Sequence, residues 1–427
     1  MRIPEADPAA LSNFTRRGLL GACFALGIGA VALGVMRTGR REAIRVGILH
    51  SLTGTMAISE QPVVDATLLA IEEINAAGGI LGALIEPIVR DGRSSPTEFA
   101  LAAEHLISNE HVATVFGCWT SASRKTVKPV LERHNHLLFY PVQYEGLEQS
   151  PNIIYTGAAP NQQLNPAVTW ALENLGKRIF LVGSDYVYPR IANRLMAMQI
   201  TALGGEIVGE HYLRLGSREV APMVEAIRAA KPDVILNTIN GDTNLAFFQA
   251  LRAAGIESKS TPTISFSMSE PELAHFDPWI MEGDYAAWTY FQSLDNAENR
   301  AFVERFHKRY GAKRTTSEPL EAAYVGVKLW ARAVERAGST EPRAIRDALR
   351  GLSEAAPSGP VYLDPESQHL WRTPRIGQID ANGQFNIVWS AERPRRPIPF
   401  PAWRSRDQWE NQLDEMNRGW NGQWTAP

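Results

Sequence analysis

Residues 111–146 place aromatic and neutral polar side chains at two neighbouring strand ends. An apolar strand over Val112–Phe116 runs into a small polar turn, and a second strand over Leu137–Tyr140 ends in Pro-Val-Gln-Tyr. Ligands of open α/β sheets bind outside the carboxyl ends of the strands. The side chains brought together there are Trp119, Thr120, Ser121, Tyr140, Gln143 and Tyr144. Because this set has few formal charges, it suits a small uncharged polar molecule.

The sequence contains no residue pattern typical of catalysis, of a metal site or of a nucleotide site. His50–Thr55 lacks the lysine of a phosphate-binding loop, and no HExxH or Cys/His ligand set occurs. Cys118 has no His near it in sequence, so we interpret it as a small residue packed at a strand end rather than as a nucleophile. We therefore expect neither enzymatic activity nor a cofactor.

Length and charge limit the class of protein. The chain has 427 residues, of which 44% are hydrophobic, and this predicts two globular domains of roughly 150–200 residues each. The net charge of −3 gives no indication of a nucleic-acid partner.

The N-terminus has a different character. Residues 1–42 carry six Arg and three acidic residues. In this segment Arg16-Arg17 precede an apolar run of small residues that ends at Val35. This pattern is typical of a twin-arginine export signal, with Ala30-Val31-Ala32 as a cleavage site, and it predicts a periplasmic location. An uncleaved membrane anchor is the alternative, although the run is short for a span.

A regular βα alternation begins at Ile44. Strands of about five residues are separated by amphipathic helices, which predicts right-handed crossovers and parallel sheets. The first set of strands is predicted over Ile44–Leu49, Leu84–Arg90, Val112–Phe116 and Leu137–Tyr140. A second, similar set begins after Pro160, so we expect two α/β lobes with Rossmann-like parallel sheets rather than one long sheet.

The C-terminal part is less regular. Arg375–Asp380 and Gln384–Trp389 are predicted to form a hairpin. Residues 401–427 are rich in Trp, and the tail from Glu392 is rich in Pro and Arg. We expect this tail to be irregular and to pack, if at all, through its Trp rings.

Several short sequence segments resemble one family of receptors. They are GILHSLTGTMAISE, AIEEINAAGGILG, GCWTSASRK, LLFYPVQYEG, SPNIIYTGAAPNQQ, GSDYVYPR, LNTINGDTN, EAAYVG and IDANGQFNIVW. In this order, over about Ile44 to Pro399, they resemble the urea-binding components of ABC transporters and the amide-binding regulators of amidase operons. Both are type I, leucine/isoleucine/valine-binding-protein-like solute receptors. FYPVQYEG and GAAPNQQ look like the urea members, whereas Ser267–Glu270 is closer to the amide binder.

The resemblance implies two lobes that are joined by a hinge of three segments and close on a solute. It implies a first lobe of residues 43–158 and 287–357, and a second lobe of residues 159–286 and 358–400.

The same resemblance assigns site residues to both lobes. In the first lobe, Ser121 at a helix start and the wall residue Trp119 would meet the solute with Tyr140 and Gln143, whose amide offers a donor and an acceptor. In the second lobe, Tyr186, Tyr188 and Glu270 would face the cleft. Core packing is the alternative interpretation of each Tyr or Trp taken singly.

The sequence therefore predicts an exported, non-catalytic receptor that delivers urea or a short amide to an ABC transporter permease in the membrane. The alternative function is an extracytoplasmic sensor for amides or branched-chain amino acids that passes ligand occupancy to a regulatory partner.

Overall fold

The computed structural model describes residues 42–427. The predicted export signal lies outside these residues. The described chain forms two mostly parallel β-sheets whose strands alternate with helices. This confirms the predicted α/β fold class.

The first sheet has five parallel strands in the order β2-β1-β3-β4-β5. Its strands are β1 (Ile44–His50), β2 (Ile85–Asp91), β3 (Val115–Gly117), β4 (Leu138–Tyr140) and β5 (Ile153–Tyr155). The central strands β3 and β4 are completely buried, as is usual for a parallel sheet covered on both faces.

The second sheet has seven strands in the order β15-β14-β10-β9-β8-β6-β7. Its parallel part comprises β6 (Arg178–Ser184), β7 (Glu206–Leu213), β8 (Val234–Thr238), β9 (Thr263–Ser265) and β10 (Tyr285–Trp288). The predicted hairpin is present as β14 (Arg375–Ile379) and β15 (Phe385–Ser390), which extend the sheet beyond β10 in antiparallel pairing.

Helices connect the strands and cover the sheets. Those that follow first-sheet strands are α1 (Ala57–Ala76), α2 (Pro96–Ser108) and α3 (Ser121–Arg133). Those associated with the second sheet are α4 (Leu164–Asn174), α5 (Val187–Ala202), α6 (Ala221–Ala230), α7 (Thr243–Ala253), α8 (Glu270–Leu273) and α9 (Pro278–Met281). Later in the chain follow α10 (Ala297–Tyr310), α11 (Glu318–Ala337) and α12 (Pro342–Leu349).

The chain crosses between the two sheets three times, after β5, after β10 and before β14. Between the last two crossings, α11 packs its buried face on the first sheet, and Trp330 lies edge-on to Phe116 at 5.8 Å. We call the five-stranded sheet with its helices, including α10–α12, the first lobe, and the seven-stranded sheet with its helices the second lobe.

A small antiparallel sheet completes the first lobe. It consists of β11 (Ser353–Ala356), β12 (Gly359–Leu363) and β13 (Leu370–Trp371). Val361, Leu363 and Leu370 of this sheet belong to the core of the first lobe. The sequence places the start of the second lobe's last part at residue 358, inside the β11–β12 hairpin. The core positions of these three residues instead place β12 and β13 with the first lobe.

One backbone position fixes the end of β3. Gly117 has a φ of +153°, and a Cβ placed there would lie 2.0 Å from the Leu49 carbonyl oxygen on β1. Only glycine allows these two strands to approach so closely. The close approach sets the position from which Trp119 and Ser121 leave the sheet.

The expectation of an irregular tail is wrong. Residues Arg406–Gly419 form a helix, α13, whose first turn is closed by a capping box between Ser405 and Gln408. The helix buries Trp409 completely and Leu413 almost completely in the second lobe. Apolar burial therefore outweighs the Pro- and Arg-rich composition of the surrounding segment.

Candidate functional site

We call the region where the strand ends of the two lobes meet the cleft. The amino end of α3 organises its first-lobe side. Thr120 caps the helix by accepting a hydrogen bond from the Ser123 backbone N–H at 3.0 Å. The next side chain, Ser121, is buried, and its hydroxyl donates to the Glu145 carboxylate while it accepts from Arg124 at 3.0 Å. Thus the Ser121 hydroxyl, which we expected to bind the solute, is engaged by charged neighbours beneath the cleft.

Those neighbours form a buried ionic cluster of Arg124, Lys125, Glu145 and Glu148, which we call the Arg124 cluster. Arg124 is fully buried and donates to Glu148 at 2.7 Å and to Glu145 at 3.2 Å. Lys125 adds a second contact to Glu148 at 3.0 Å. Burial raises the pKa of Glu148, but the charges of Arg124 and Lys125 outweigh it and hold the pKa below its usual range.

The Arg124 guanidinium also positions two tyrosines. Its carbon lies 4.7 Å from the Tyr140 ring centroid and 4.6 Å from that of Tyr144. The Tyr140 hydroxyl then donates to the Trp119 carbonyl oxygen at 2.6 Å. Tyr140 therefore holds the turn that carries Trp119, whereas the sequence predicted it as a contact of the solute.

Two of the predicted site residues form hydrogen bonds to the opposite lobe. The Trp119 indole N–H donates to the Asn240 side-chain oxygen at 3.2 Å, and the Gln143 amide donates to the Phe266 carbonyl oxygen at 2.7 Å. Asn240 and Phe266 follow second-lobe strands β8 and β9. The structure thus joins the carboxyl ends of strands from both sheets.

The second-lobe side contributes Tyr186 and Tyr188, whose ring centroids lie 6.2 Å apart. Both are buried. Burial raises the pKa of the Tyr186 phenol well above its usual value, and Tyr188, Tyr140 and Glu145 add to this rise. Because Tyr140 and Glu145 belong to the first lobe, Tyr186 lies near the boundary between the lobes.

Four buried polar atoms at or beside the predicted site have no hydrogen bond of normal geometry to any group in residues 42–427. They are Gln143 Oε1, the Tyr188 hydroxyl, Ser267 Oγ and Glu270 Oε2. Burial raises the pKa of the Tyr188 phenol, and the adjacent side chains of Gln143 and Ser267 partly offset this rise. The side chains of Gln143, Tyr188 and Ser267 are therefore close to one another, but no hydrogen bond of normal geometry forms between them. An unsatisfied buried polar atom costs about 1–3 kcal/mol, so such a group marks a place where a ligand gains affinity.

Glu270 begins α8 and accepts a hydrogen bond from the Gln292 backbone N–H at 2.7 Å. Burial, together with the nearby carboxylates Glu272 and Glu318, raises the pKa of Glu270 to about 8. Glu270 therefore carries its proton at neutral pH. A protonated carboxyl can donate one hydrogen bond and accept others.

Sequence reasoning missed several residues in or beneath the cleft, notably Arg124, Asn240 and Ser267. Arg124 follows Ser121 by three residues, a spacing that places both on one helix face, but a basic helix is usually a solvated one. Ser267 precedes Glu270 by three residues. Only the structure shows that its side chain lies beside Tyr188, which follows a different strand.

The described residues contain neither an exposed cysteine nor a cluster of metal ligands. Cys118 is buried, and burial raises the pKa of its thiol far above neutrality. Within residues 42–427 no three potential metal-ligating side chains of the His, Cys, Asp or Glu type form a group. The geometry instead presents hydrogen-bond donors and acceptors inside an aromatic enclosure.

Comparison with known proteins assigns the fold to a family. Residues 44–406 match the sequence profile of the periplasmic binding protein domain. The chain belongs to this family. Its members are non-catalytic proteins that bind small solutes for ABC transporters, which confirms that the chain is not an enzyme. In the part of the chain described by the structure, no helix has the length and apolarity needed to cross a membrane.

Relatives of this periplasmic binding protein include Leu/Ile/Val-binding protein homolog 6 of Brucella melitensis. It is 24% identical over 342 residues, which cover 77% of this chain and 85% of the relative. A leucine-, isoleucine-, valine-, threonine- and alanine-binding protein of Pseudomonas aeruginosa is 22% identical, covering 76% of this chain and 86% of that relative.

A solved structure with the same fold is a solute-binding protein of an ABC transporter from Rhodopseudomonas palustris in complex with 3,4-dihydroxybenzoic acid. Its TM-score is 0.76 at 22% identity, and the match covers 83% of this chain and 99% of that protein. A leucine-binding protein from Thermotoga maritima has a TM-score of 0.70 at 20% identity, with 82% and 98% covered.

We predict that Arg124→Met lowers the free energy of unfolding by about 3–5 kcal/mol, because it leaves two buried carboxylates without their main cation. Guanidinium chloride denaturation measures this change. Arg228→Met is the matched control, since Arg228 pairs with Glu225 on the surface, where both side chains are about 60% exposed, and should cost less than about 1 kcal/mol. Equal losses in the two variants would contradict a structural role for the Arg124 cluster.

Glu270 should make stability fall as pH rises. Its folded-state pKa of about 8 lies above its ordinary value of 4.5, so the folded state binds more protons between these two values and loses stability through that window. We expect the decrease in Tm between pH 5 and pH 8 to be smaller in Glu270→Gln than in the parent. The control Glu282→Gln, which replaces an exposed glutamate, should retain the parental decrease. Parallel pH profiles for all three proteins would show that Glu270 is already ionised at neutral pH.

Proposed function

We propose that this periplasmic binding protein captures urea or a short-chain amide between its lobes and delivers it to the permease of an ABC transporter. The observation that carries the proposal is the group of four unpartnered polar atoms on Gln143, Tyr188, Ser267 and Glu270. They come from both lobes and from separate strand ends. Urea has one carbonyl acceptor and four N–H donors, which together can engage such a mixed set.

The charge of the cleft favours a neutral solute. Arg124 and Lys125 are the cations beneath the predicted first-lobe residues, and both are paired with Glu145 and Glu148. A carboxylate ligand, such as an aromatic acid, would have to compete with those two glutamates. On the second-lobe side, Glu270 is protonated near neutrality, so it offers no full negative charge to the ammonium of an amino acid.

The aromatic residues complete the proposed pocket. Trp119, Tyr140 and Tyr186 exclude water from the polar groups, which strengthens each hydrogen bond to the solute. For a ligand with four heavy atoms, an upper limit of about 1.5 kcal/mol per atom corresponds to a Kd on the order of tens of micromolar.

Calorimetric titration with urea, acetamide, formamide, leucine and benzoate tests the proposed solute class. We expect urea or a short amide to bind and leucine and benzoate not to bind. Because relatives are named for branched-chain amino acids and a protein of the same fold holds an aromatic acid, binding of leucine or benzoate alone would overturn the proposal.

We predict that Gln143→Leu and Tyr188→Phe each weaken binding of the preferred ligand by about 1–3 kcal/mol, roughly 5- to 150-fold, since each leaves a ligand group unpaired. The melting temperature of Tyr188→Phe should stay near that of the parent because the removed hydroxyl has no hydrogen-bond partner among the described residues. Gln143→Leu also loses the hydrogen bond to the Phe266 carbonyl oxygen, so it should cost about 1 kcal/mol of stability. Tyr362→Phe is the control, since Tyr362 is 37% exposed on β12 and away from the cleft. Parental affinity in both cleft variants would show that these residues do not contact the solute.

We also propose export through the twin-arginine route, on the strength of Arg16-Arg17 and the apolar run that follows. Replacement of both residues by Lys should leave the precursor in the cytoplasm, as measured by cell fractionation and immunoblotting. Export of that variant at the parental level would exclude this route, and Arg40→Lys with Arg41→Lys is the matched control that should be exported normally.

A further inference from the structure

The C-terminal segment beyond residue 406 lies outside the region that matches the family profile, which ends there. Helix α13 anchors this segment to the second lobe. Trp409 and Leu413 belong to the same apolar cluster as Val168 on α4 and Ile191 on α5. The Trp409 indole N–H also donates to the Pro401 carbonyl oxygen at 2.9 Å.

After α13 the chain turns back towards the cleft and pairs with the loop that carries Tyr186. The Val187 backbone N–H donates to the Trp424 carbonyl oxygen at 3.0 Å, and the Ala426 N–H donates to the Asp185 carbonyl oxygen at 3.1 Å. These two bonds form an antiparallel bridge between Tyr186 and Thr425. The segment therefore fixes the backbone on both sides of a predicted solute-binding residue.

The same segment also reaches the first lobe. The apolar cluster that contains Trp409 and Leu413 includes Ala122 of α3 and Leu147, and the Trp424 ring approaches Lys125. The Lys125 ammonium lies 4.9 Å from the centroid of the Trp424 ring. Lys125 belongs to the Arg124 cluster, where it contacts Glu148 at 3.0 Å and Glu145 at 3.6 Å. Elsewhere α3 and α13 face each other across a groove of about 410 Å³ that Trp424 also lines.

We propose that residues 420–427 form an interlobe strap and that Trp424 is a positioning residue for solute binding. The strap holds the Tyr186 loop by backbone hydrogen bonds and holds the amino end of α3 by the contact of Trp424 with Lys125. Opening the cleft moves these two elements apart, so it must break either the strand bridge or the cation–π contact. The strap thereby stabilises the closed arrangement of the lobes, whichever solute the cleft accepts.

Hydrogen exchange measured by mass spectrometry on the full chain, without added solute, tests this proposal. In Trp424→Ala we expect exchange to accelerate about two- to fivefold in segments 119–125 and 143–148 of the first lobe and in segment 185–188 of the second. Trp424→Phe keeps an aromatic face for Lys125 and should restore much of the protection. Trp403→Ala, which removes a tail Trp that is 46% exposed, should leave all three segments unchanged.

The first-lobe segments decide the outcome. Faster exchange confined to 185–188 and α13 would mean that the tail only covers the second lobe, and the proposal would be wrong. Unchanged exchange in all segments would also overturn it. Trp424 is only half-buried, so Trp424→Ala should fold, and a melting curve near that of the parent checks this. Because no solute is added, these results do not depend on the urea or amide assignment.

Discussion

The buried charge of Arg124 is the constraint on which the first-lobe half of the cleft depends. A guanidinium removed from water is tolerated only when its donors and its charge are matched by fixed partners. Here those partners are Glu145 and Glu148, with Ser121 as a further acceptor. Because a buried arginine has few alternative positions, the start of α3 and the Tyr140 ring are held in one arrangement before any solute arrives.

An aromatic stack extends this rigidity to a distant part of the chain. Tyr144, one of the rings beside Arg124, stacks on Tyr155, and Tyr155 stacks on His369 with centroids 4.1 Å apart. Burial lowers the pKa of His369 to about 4, so the imidazole is neutral and places no further charge beside Arg124. The stack connects the residues around Arg124 to the segment between β12 and β13. This contact helps to explain why that small sheet packs with the first lobe.

Local pattern predicted the strands and helices that carry the site, and it failed where the structure depends on long-range contacts. The ends of β3 and β4 follow from apolar runs bounded by small polar residues, so the positions of Trp119 and Gln143 were foreseeable. The burial of Arg124 was not, because only tertiary packing brings Glu145 and Glu148 around it. The helix α13 had a readable signal in Ser405 and Gln408, three residues apart as in a capping box. The surrounding Pro and Arg residues obscured that signal.

The short distance between Gly117 and Leu49 also determines the redox behaviour of the next residue. Cys118 donates its backbone N–H to the Leu49 carbonyl oxygen at 2.9 Å and is completely buried against the sheet. Since the thiolate is the species that attacks disulfides, and burial raises the pKa of this thiol, the folded lobe is inert to thiol–disulfide exchange. Reaction requires that the packing around the Cys118 side chain opens. In an oxidising compartment this cysteine is therefore protected while the first lobe stays folded, and its modification reports how often the lobe opens around Cys118.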